Sequence, residues 1–252
     1  MKIVVAIKQV PVRDSSLKVA ASGLWIDEAN LSYEINEPDA YALEEALQLR
    51  EKHGGEVVVL CAGPERAGQT IREALAKGAD RAIHVETSDV SLDTLGTARL
   101  LADAVKSEAA DLILTGLQSD DLGYGQTGVV LAELLGVPHS TIIMQVEVKD
   151  STLRVKRELE DGWFQHIEMP LPAVLTIQSG LNKLRYATLM GIKKAKTKEI
   201  SVVKPEAGAA STALIEKIYA PQKSKQAQIF TGDAKTAAAQ LIEKLKFEAR
   251  VL

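Results

Sequence analysis

The chain has 252 residues, 46% of them hydrophobic and 25% charged, with a formal net charge of −4. This is the composition of a globular protein large enough for one sizeable core, and the negative charge implies no general attraction to nucleic acid or to an anionic membrane surface. A single cysteine and four histidines exclude a disulfide framework and a Cys-rich metal site. No two of His53, His84, His139 and His166 stand at metal-ligand spacing.

The opening run MKIVVAIKQV is too short in its apolar part for a signal peptide. No later run approaches the ~20 apolar residues of a membrane span, so the expected setting is a bacterial cytoplasm, without membrane insertion. Residues 3–7 (IVVAI), 56–63 (EVVVLCAG), 81–86 (RAIHVE), 111–116 (DLILTG) and 141–148 (TIIMQVEV) read as strands buried on both faces, because their apolar residues run on rather than alternate. Cys61, inside such a strand, reads as a buried small residue rather than a nucleophile.

Helix signals lie between these strands. In 36–55 (NEPDAYALEEALQLREKHGG), Asn36 is a candidate N-cap, Pro38 sits in the first turn, Leu43, Ala46 and Leu47 share a face, and two glycines end the run. Residues 67–80, 93–111 and 126–136 continue the pattern. Strand and helix alternation predicts an α/β fold with a doubly wound, mostly parallel sheet, in which ligands bind beyond the carboxyl ends of the strands.

GYGQTG, Gly123 to Gly128, spells G-x-G-x-x-G. A dinucleotide fingerprint belongs directly after the first strand, whereas here LQSDDL separates the motif from its strand and three strands have already passed. Two readings stand for it. The glycines allow a tight loop and close helix packing, or they bring N–H groups and a helix N-terminus to a phosphate.

Beyond residue 148 the pattern changes. LRVKREL and WFQHIEM, joined across Asp161–Gly162, predict a β-hairpin, and PAVLTIQ another strand. The chain then becomes basic and irregular from Gly180, passes a Pro, Gly and Ala-rich stretch at 205–213, and ends in a helix, DAKTAAAQLIEKLKFEA. The tail lacks the apolar content for a core of its own. The expected division is a nucleotide-binding domain over 1–190 and an extended C-terminal arm over 191–252 that packs on a partner.

Residues 155–178 (VKRELEDGWFQHIEMPLPAVLTIQ) resemble the signature of the electron transfer flavoprotein beta subunit: Arg157, the acidic-Gly turn at Glu160–Gly162, Gln165, Pro172, and Val174–Leu175 before Thr176. VAIKQVP, the NEPDAYALEEAL helix entry, AKGADRAIHV and NKLRYATLMGIKKAK (182–196) are similar to the same family. The resemblance covers the chain to about residue 205 and the tail less firmly.

The resemblance implies a heterodimer with an alpha subunit, carrying electrons from acyl-CoA dehydrogenases and related flavin dehydrogenases to a membrane quinone reductase. FAD would be held mainly by the alpha subunit, and AMP, as a structural nucleotide, by this chain. Its matching positions are Ala6, Asn36, Glu37, Pro38, Asp39, Ala62, Gly116, Gln118, Ser119, Gly123, Tyr124, Gly125, Gln126 and Thr127. Ala6, Ala62 and Gly116 end three predicted strands, where small residues let a nucleotide lie against a sheet. No lysine lies in the loop, so a hydrolysed triphosphate is not the expected ligand. Members of the family with a second FAD here resemble D-G-D-T-A-Q-V-G; DDLGYGQTG departs from that pattern and favours AMP. Asp120 and Asp121 have no evident role beside a phosphate and are taken to face ribose hydroxyls or solvent.

Residues 182–196 would be the partner-recognition loop. Leu189, three residues from Ile192, reads from spacing alone as helical core; the resemblance makes it an exposed anchor for an acyl-CoA dehydrogenase, with Arg185, Tyr186, Lys193 and Lys194 beside it to meet and steer an acidic partner. The run KKAKTK is otherwise a solvated face. Glu158 is either an exposed cross-strand charge or, by resemblance, the carboxylate that meets an arginine of the mobile FAD-bearing domain. No catalytic residue is expected. The alternative is an adenine-nucleotide-binding enzyme of the alpha-hydrolase type, but its S-G-G-x-D loop is replaced after the first strand by KQVPVRD. The G-x-x-G phosphate loop of a universal-stress-type ATP sensor has no counterpart either.

Overall fold

A computed structural model of the chain describes residues 1–87, 92–205, 211–221 and 227–252. Strands β1 (Lys2–Ala6), β2 (Gln9–Pro11) and β3 (Tyr33–Ile35) lead into helix α1 (Glu37–His53). Then follow β4 (Glu56–Gly63), α2 (Ala67–Lys77), β5 (Arg81–Glu86), α3 (Thr94–Lys106), β6 (Leu112–Gly116) and α4 (Thr127–Leu135). The remaining elements are β7 (His139–Lys149), β8 (Thr152–Glu158), β9 (Phe164–Pro170), β10 (Ala173–Ile177), α5 (Leu189–Ala195), β11 (Ile200–Val203) and α6 (Ala234–Phe247).

Nine strands form one sheet in the order β11-β5-β4-β1-β6-β10-β7-β8-β9, while β2 and β3 pair apart from it. From β11 to β7 every neighbouring pair is parallel. The β7, β8 and β9 pairings are antiparallel. Alternate residues of each central strand serve opposite faces. Ile3, Val5, Val57, Val59, Leu112 and Leu114 pack with Leu43 and Leu47 of α1 and Ile71 and Leu75 of α2. Val4, Val58, Leu60 and Ile113 pack with Leu101 and Val105 of α3 and Leu131 of α4. Burial on both faces is the reason these strands lack polar alternation, and the doubly wound α/β prediction is met.

The expectation of two-faced burial fails for β7. It is buried only at Ser140, Ile143 and Val146, with a register shift between Ile143 and Gln145, because it joins a hairpin that buries Val146, Leu153, Val155 and Met169 toward one layer only. At the hairpin tip Asp161 and Gly162 take φ of 56° and 76°, the left-handed geometry that an Asp-Gly pair tolerates.

The chain divides into two compact units, Met1–Lys217 and Ile218–Leu252. β11, which lies in the stretch read as irregular, adds to the sheet beside β5 in register from Ile200↔Ala82 to Val203↔Val85. Arg72 Nη1 of α2 donates to the carbonyls of Ala195 and Lys198, each at 2.6 Å. Most of the 205–213 stretch lies outside the described residues. In the second unit, Asp233 caps α6 through hydrogen bonds from the Lys235 and Thr236 N–H groups, and α6 buries none of its residues. Among the described residues no helix is long and apolar enough to cross a membrane.

Candidate functional site

Strand order decides where a ligand can lie. From β1 the chain moves outward through β4 and β5, then returns to β6 on the other side of β1, so β1 and β6 flank the switch point of the sheet. Ala6 and Gly116 end β1 and β6, and Ala62 stands one residue before the end of β4. The loop from Leu117 to Gln126 leaves this edge and enters α4.

The N-terminus of α1 holds the loop in place. Asn36 is the N-cap residue, yet its side chain caps nothing in the helix. It is 1% exposed. Its Nδ2 donates to the Gln118 carbonyl at 2.9 Å, and its Oδ1 accepts from the Asp120 N–H at 2.9 Å. Asp120 Oδ2 lies 3.5 Å from the Glu37 N–H, close to the uncapped helix end.

Asp39, one turn further on, is buried. Its carboxylate accepts from the Lys8 N–H at 2.7 Å and from the Gly116 N–H at 2.8 Å, tying the ends of β1 and β6 together. A Cβ on Gly116 would meet Asp39 Oδ1, Pro38 Cβ at 2.7 Å and Asp39 N at 2.8 Å. Gly116 is thus needed for the approach of α1, a different reason from the nucleotide contact its position suggested.

The motif glycines divide in the same way. At Gly128 a Cβ would meet Thr176 Cγ2 at 2.5 Å and Thr115 Oγ1 at 2.7 Å, so this glycine lets α4 pack against β6 and β10. Gly123 and Gly125 take φ of 65° and 64°, and a Cβ there would meet only ordinary contacts, Ser119 O at 3.9 Å and Leu117 O at 3.8 Å, so they shape the loop rather than make room for protein. Around them Gln118, Tyr124 and Gln126 are exposed, and Ser119 and Thr127 half-buried. Asp93, Thr188 and Asp233 cap α3, α5 and α6 with their side chains, whereas Gln126 makes no cap hydrogen bond to α4. First-turn N–H groups without a side-chain cap, beside an open glycine loop at the switch point, fit an anionic group such as phosphate.

Asp121 acquires a partner the sequence did not suggest. Lys8, two residues past β1, sets its Nζ 2.6 Å from Asp121 Oδ1 and 3.3 Å from Ser119 Oγ. Burial opposes ionisation of Asp121, yet the Lys8 charge and its hydrogen bond keep the carboxyl below its ordinary range. A lysine so soon after the first strand of a doubly wound sheet was the available signal, and the search for one inside the loop overlooked it.

Burial pushes the Asp39 carboxyl up to about 7, against the two backbone hydrogen bonds, which favour the anion. The native state therefore holds this proton more tightly than the unfolded chain, whose carboxyl has the ordinary value of 3.8. The associated stability is full below about pH 4 and is lost as pH rises through about 7. Unfolding in urea should show the stability of the wild type, relative to Asp39→Asn, falling across that window by up to about 1.4 kcal/mol per pH unit. A difference independent of pH would contradict this.

Burial also pushes the Cys61 thiol up to about 12, with the Asp39 charge adding to it. It stays a thiol at neutral pH. His84 is buried, its Nε2 3.0 Å from the Gly63 carbonyl oxygen.

Residues 182–196 are fixed to the helical layer. Asn182 Nδ2 donates to Glu45 Oε2 at 3.1 Å. Arg185 holds Glu44 and Glu51 of α1, both at 2.7 Å, and these carboxylates raise its pKa. Its guanidinium is engaged within the chain. Gly191 and Ala195, four apart, turn toward α2: a Cβ on Gly191 would meet the Ala76 carbonyl oxygen, and Ala195 is buried. That choice of face leaves Leu189 84% and Met190 63% exposed, and Tyr186, just before the helix, is 92% exposed. Of the two readings of Leu189, helical core is excluded.

Glu158 ends β8, where its Oε2 accepts from Gln178 Nε2 at 3.3 Å. Registers running Gly116↔Ile177, Ile177↔Ile143 and Ile143↔Arg157 bring this end of β8 to the same edge of the sheet as the glycine loop.

Comparison with known proteins agrees with this architecture. The family model for the electron transfer flavoprotein domain matches residues 23–208. The electron transfer flavoprotein beta subunit of Methylophilus methylotrophus is 38% identical over 257 residues, spanning 96% of this chain and 97% of that protein. The beta subunit of Bradyrhizobium diazoefficiens is 37% identical and that of Homo sapiens 35%, each spanning the whole of this chain and at least 99% of the relative. A match of this extent, on a doubly wound sheet, places the chain in the electron transfer flavoprotein family as a beta subunit, an electron-carrier subunit and not an enzyme.

Proposed function

We propose that this subunit pairs with an electron transfer flavoprotein alpha subunit, holds AMP at the loop between β6 and α4, and presents Leu189 to acyl-CoA dehydrogenases and related flavin dehydrogenases. The pair passes their electrons to a quinone reductase. The observation that carries the reading is the open loop at the switch point, with Gly123 and Gly125 in left-handed geometry before an α4 that lacks a side-chain cap. Its N–H groups suit one phosphate, and Ala6 and Ala62 leave the neighbouring strand ends low. The redox chemistry is supplied by FAD, held mainly by the alpha subunit. The contribution of this chain is to bind, orient and present.

Leu241, Ile242 and Phe247 of α6 are exposed, which supports packing of the second unit on the alpha subunit. Glu158, at the edge of the sheet shared with the loop, suits a contact with an arginine of the FAD-bearing domain. Tyr186, before α5, and Met190, within it, flank Leu189 as an exposed apolar group, the arrangement by which a small transient interface gains affinity.

Co-expression with an alpha subunit, followed by mass identification of the bound nucleotides, tests the reading. One AMP and one FAD per heterodimer are expected. Two FAD would overturn the nucleotide assignment, and failure of the two chains to copurify would overturn the pairing.

A further inference from the structure

The loop assigned above to a nucleotide has a cation at its side, and that cation is already engaged. Lys8 emerges from the carboxyl end of β1, and its ammonium reaches both Ser119 Oγ and Asp121 Oδ1. Asp121 Oδ1 also accepts from the Leu122 N–H at 2.7 Å, which fixes the carboxylate against the loop backbone. The side chains of the pair are 38% and 22% exposed, so the interaction is screened less than a fully solvated one. The second cation of this edge, Arg13, is also bound to carboxylates: its Nη2 lies 2.5 Å from Glu37 Oε2 and 3.9 Å from Asp120 Oδ2.

We propose that Asp121 determines the phosphate count of the bound nucleotide, restricting the site to a nucleoside monophosphate by neutralising Lys8. The inference rests on the nucleotide reading of the loop and concerns how that site selects its ligand. The first turn of a helix offers N–H donors and about half a positive charge, which suits a single phosphate. P-loop sites for nucleoside triphosphates add a lysine that reaches the β and γ groups. Lys8, whose ammonium reaches Ser119 of the same loop, is the lysine beside this site, but Asp121 holds it. Drawing Lys8 onto a second phosphate would strand the Asp121 carboxylate next to that phosphate, and like charges at such separations repel strongly. The aspartate with no apparent role beside a phosphate thereby acquires one: it excludes the longer ligands.

The test is equilibrium competition of ADP against AMP in the purified complex with the alpha subunit, with retained nucleotide quantified by mass. Asp121→Asn keeps the size of the side chain and removes its charge, and should raise the affinity of ADP relative to AMP on the order of tenfold or more. Lys8→Met combined with Asp121→Asn should return the ratio to that of the wild type, because the freed ammonium is what receives the second phosphate. An Asp121→Asn complex that retains AMP with an unchanged ratio overturns the proposal. Should that variant not assemble, the unmodified complex decides: its ratio of ADP to AMP affinity should rise with ionic strength as the repulsion is screened. A ratio indifferent to salt overturns it. A wild-type complex that takes up no AMP would instead overturn the nucleotide reading on which the proposal stands.

Discussion

Gly116→Ala is expected to lower the stability of the fold by about 3 kcal/mol or more, although it adds a single methyl group. The new Cβ would meet the Asp39 carboxylate, the Pro38 ring and the Asp39 backbone nitrogen, and the last two belong to the first turn of a helix that cannot yield as a flexible side chain does. Overpacking of this kind costs about 1–3 kcal/mol. If the helix shifts to relieve it, Asp39 loses its hydrogen bond from the Gly116 N–H, and a hydrogen bond to a charged group contributes about 1.5–3 kcal/mol. Gly123→Ala provides the contrast. Its Cβ would meet nothing closer than the Ser119 carbonyl oxygen at 3.9 Å, an ordinary contact, and the strain comes from a φ of 65°, about 1–2 kcal/mol. Urea unfolding of the two variants should rank Gly116→Ala as clearly the more damaging. Equal stabilities, or a Gly116→Ala variant as stable as the wild type, would show that α1 does not rest on this glycine.

Leu189→Ala should produce the opposite kind of effect. The side chain is 84% exposed, so its truncation should leave the unfolding temperature and the flavin spectrum nearly unchanged. If Leu189 anchors a dehydrogenase, loss of a hot-spot side chain costs about 2 kcal/mol, roughly a thirtyfold weakening of the docked complex. Melting and dehydrogenase-coupled flavin reduction should be measured on the same preparation. Coupling retained at the wild-type level would remove Leu189 from the interface. Gly191→Ala is a useful companion, because its Cβ is directed at the Ala76 carbonyl oxygen; it disturbs the seating of α5 and not the anchor itself.

These two glycines and the leucine show how far a chain can be read unaided. The alternation of EVVVLCAG, RAIHVE and DLILTG with amphipathic segments was legible, since strands covered on both faces must be apolar throughout and the helices between them must carry a single apolar stripe. The Asp161–Gly162 turn was legible from its backbone requirement. β11 was not, because ISVV is four residues long in a basic surrounding and gains its strand character from the open edge of β5. β2 and β3, three residues each and paired only with one another, are too short to show a period.

At the site, composition and spacing located the loop, the helix entry at Asn36 and the small residues at the strand ends. They misjudged what those residues touch. Asn36 occupies the cap position, but its amide serves Gln118 and Asp120, more than eighty residues away in sequence. Lys8 finds Asp121 at a separation of 113 residues, and no local pattern encodes such a contact. It arises because the crossover from β5 brings β6 back beside β1.

The sequence by itself determined the α/β class, the strand and helix alternation, the hairpin and the family signature, all of which depend on residue types and on periods of two and 3.6 within short windows. Only the tertiary structure decided that α1 closes on Gly116, that Arg185 is spent on Glu44 and Glu51, and that α5 turns Gly191 and Ala195 inward and leaves Leu189 in solvent. These outcomes are set by which elements the sheet order makes neighbours and by how closely their backbones approach, and neither quantity is written in any single stretch of the chain.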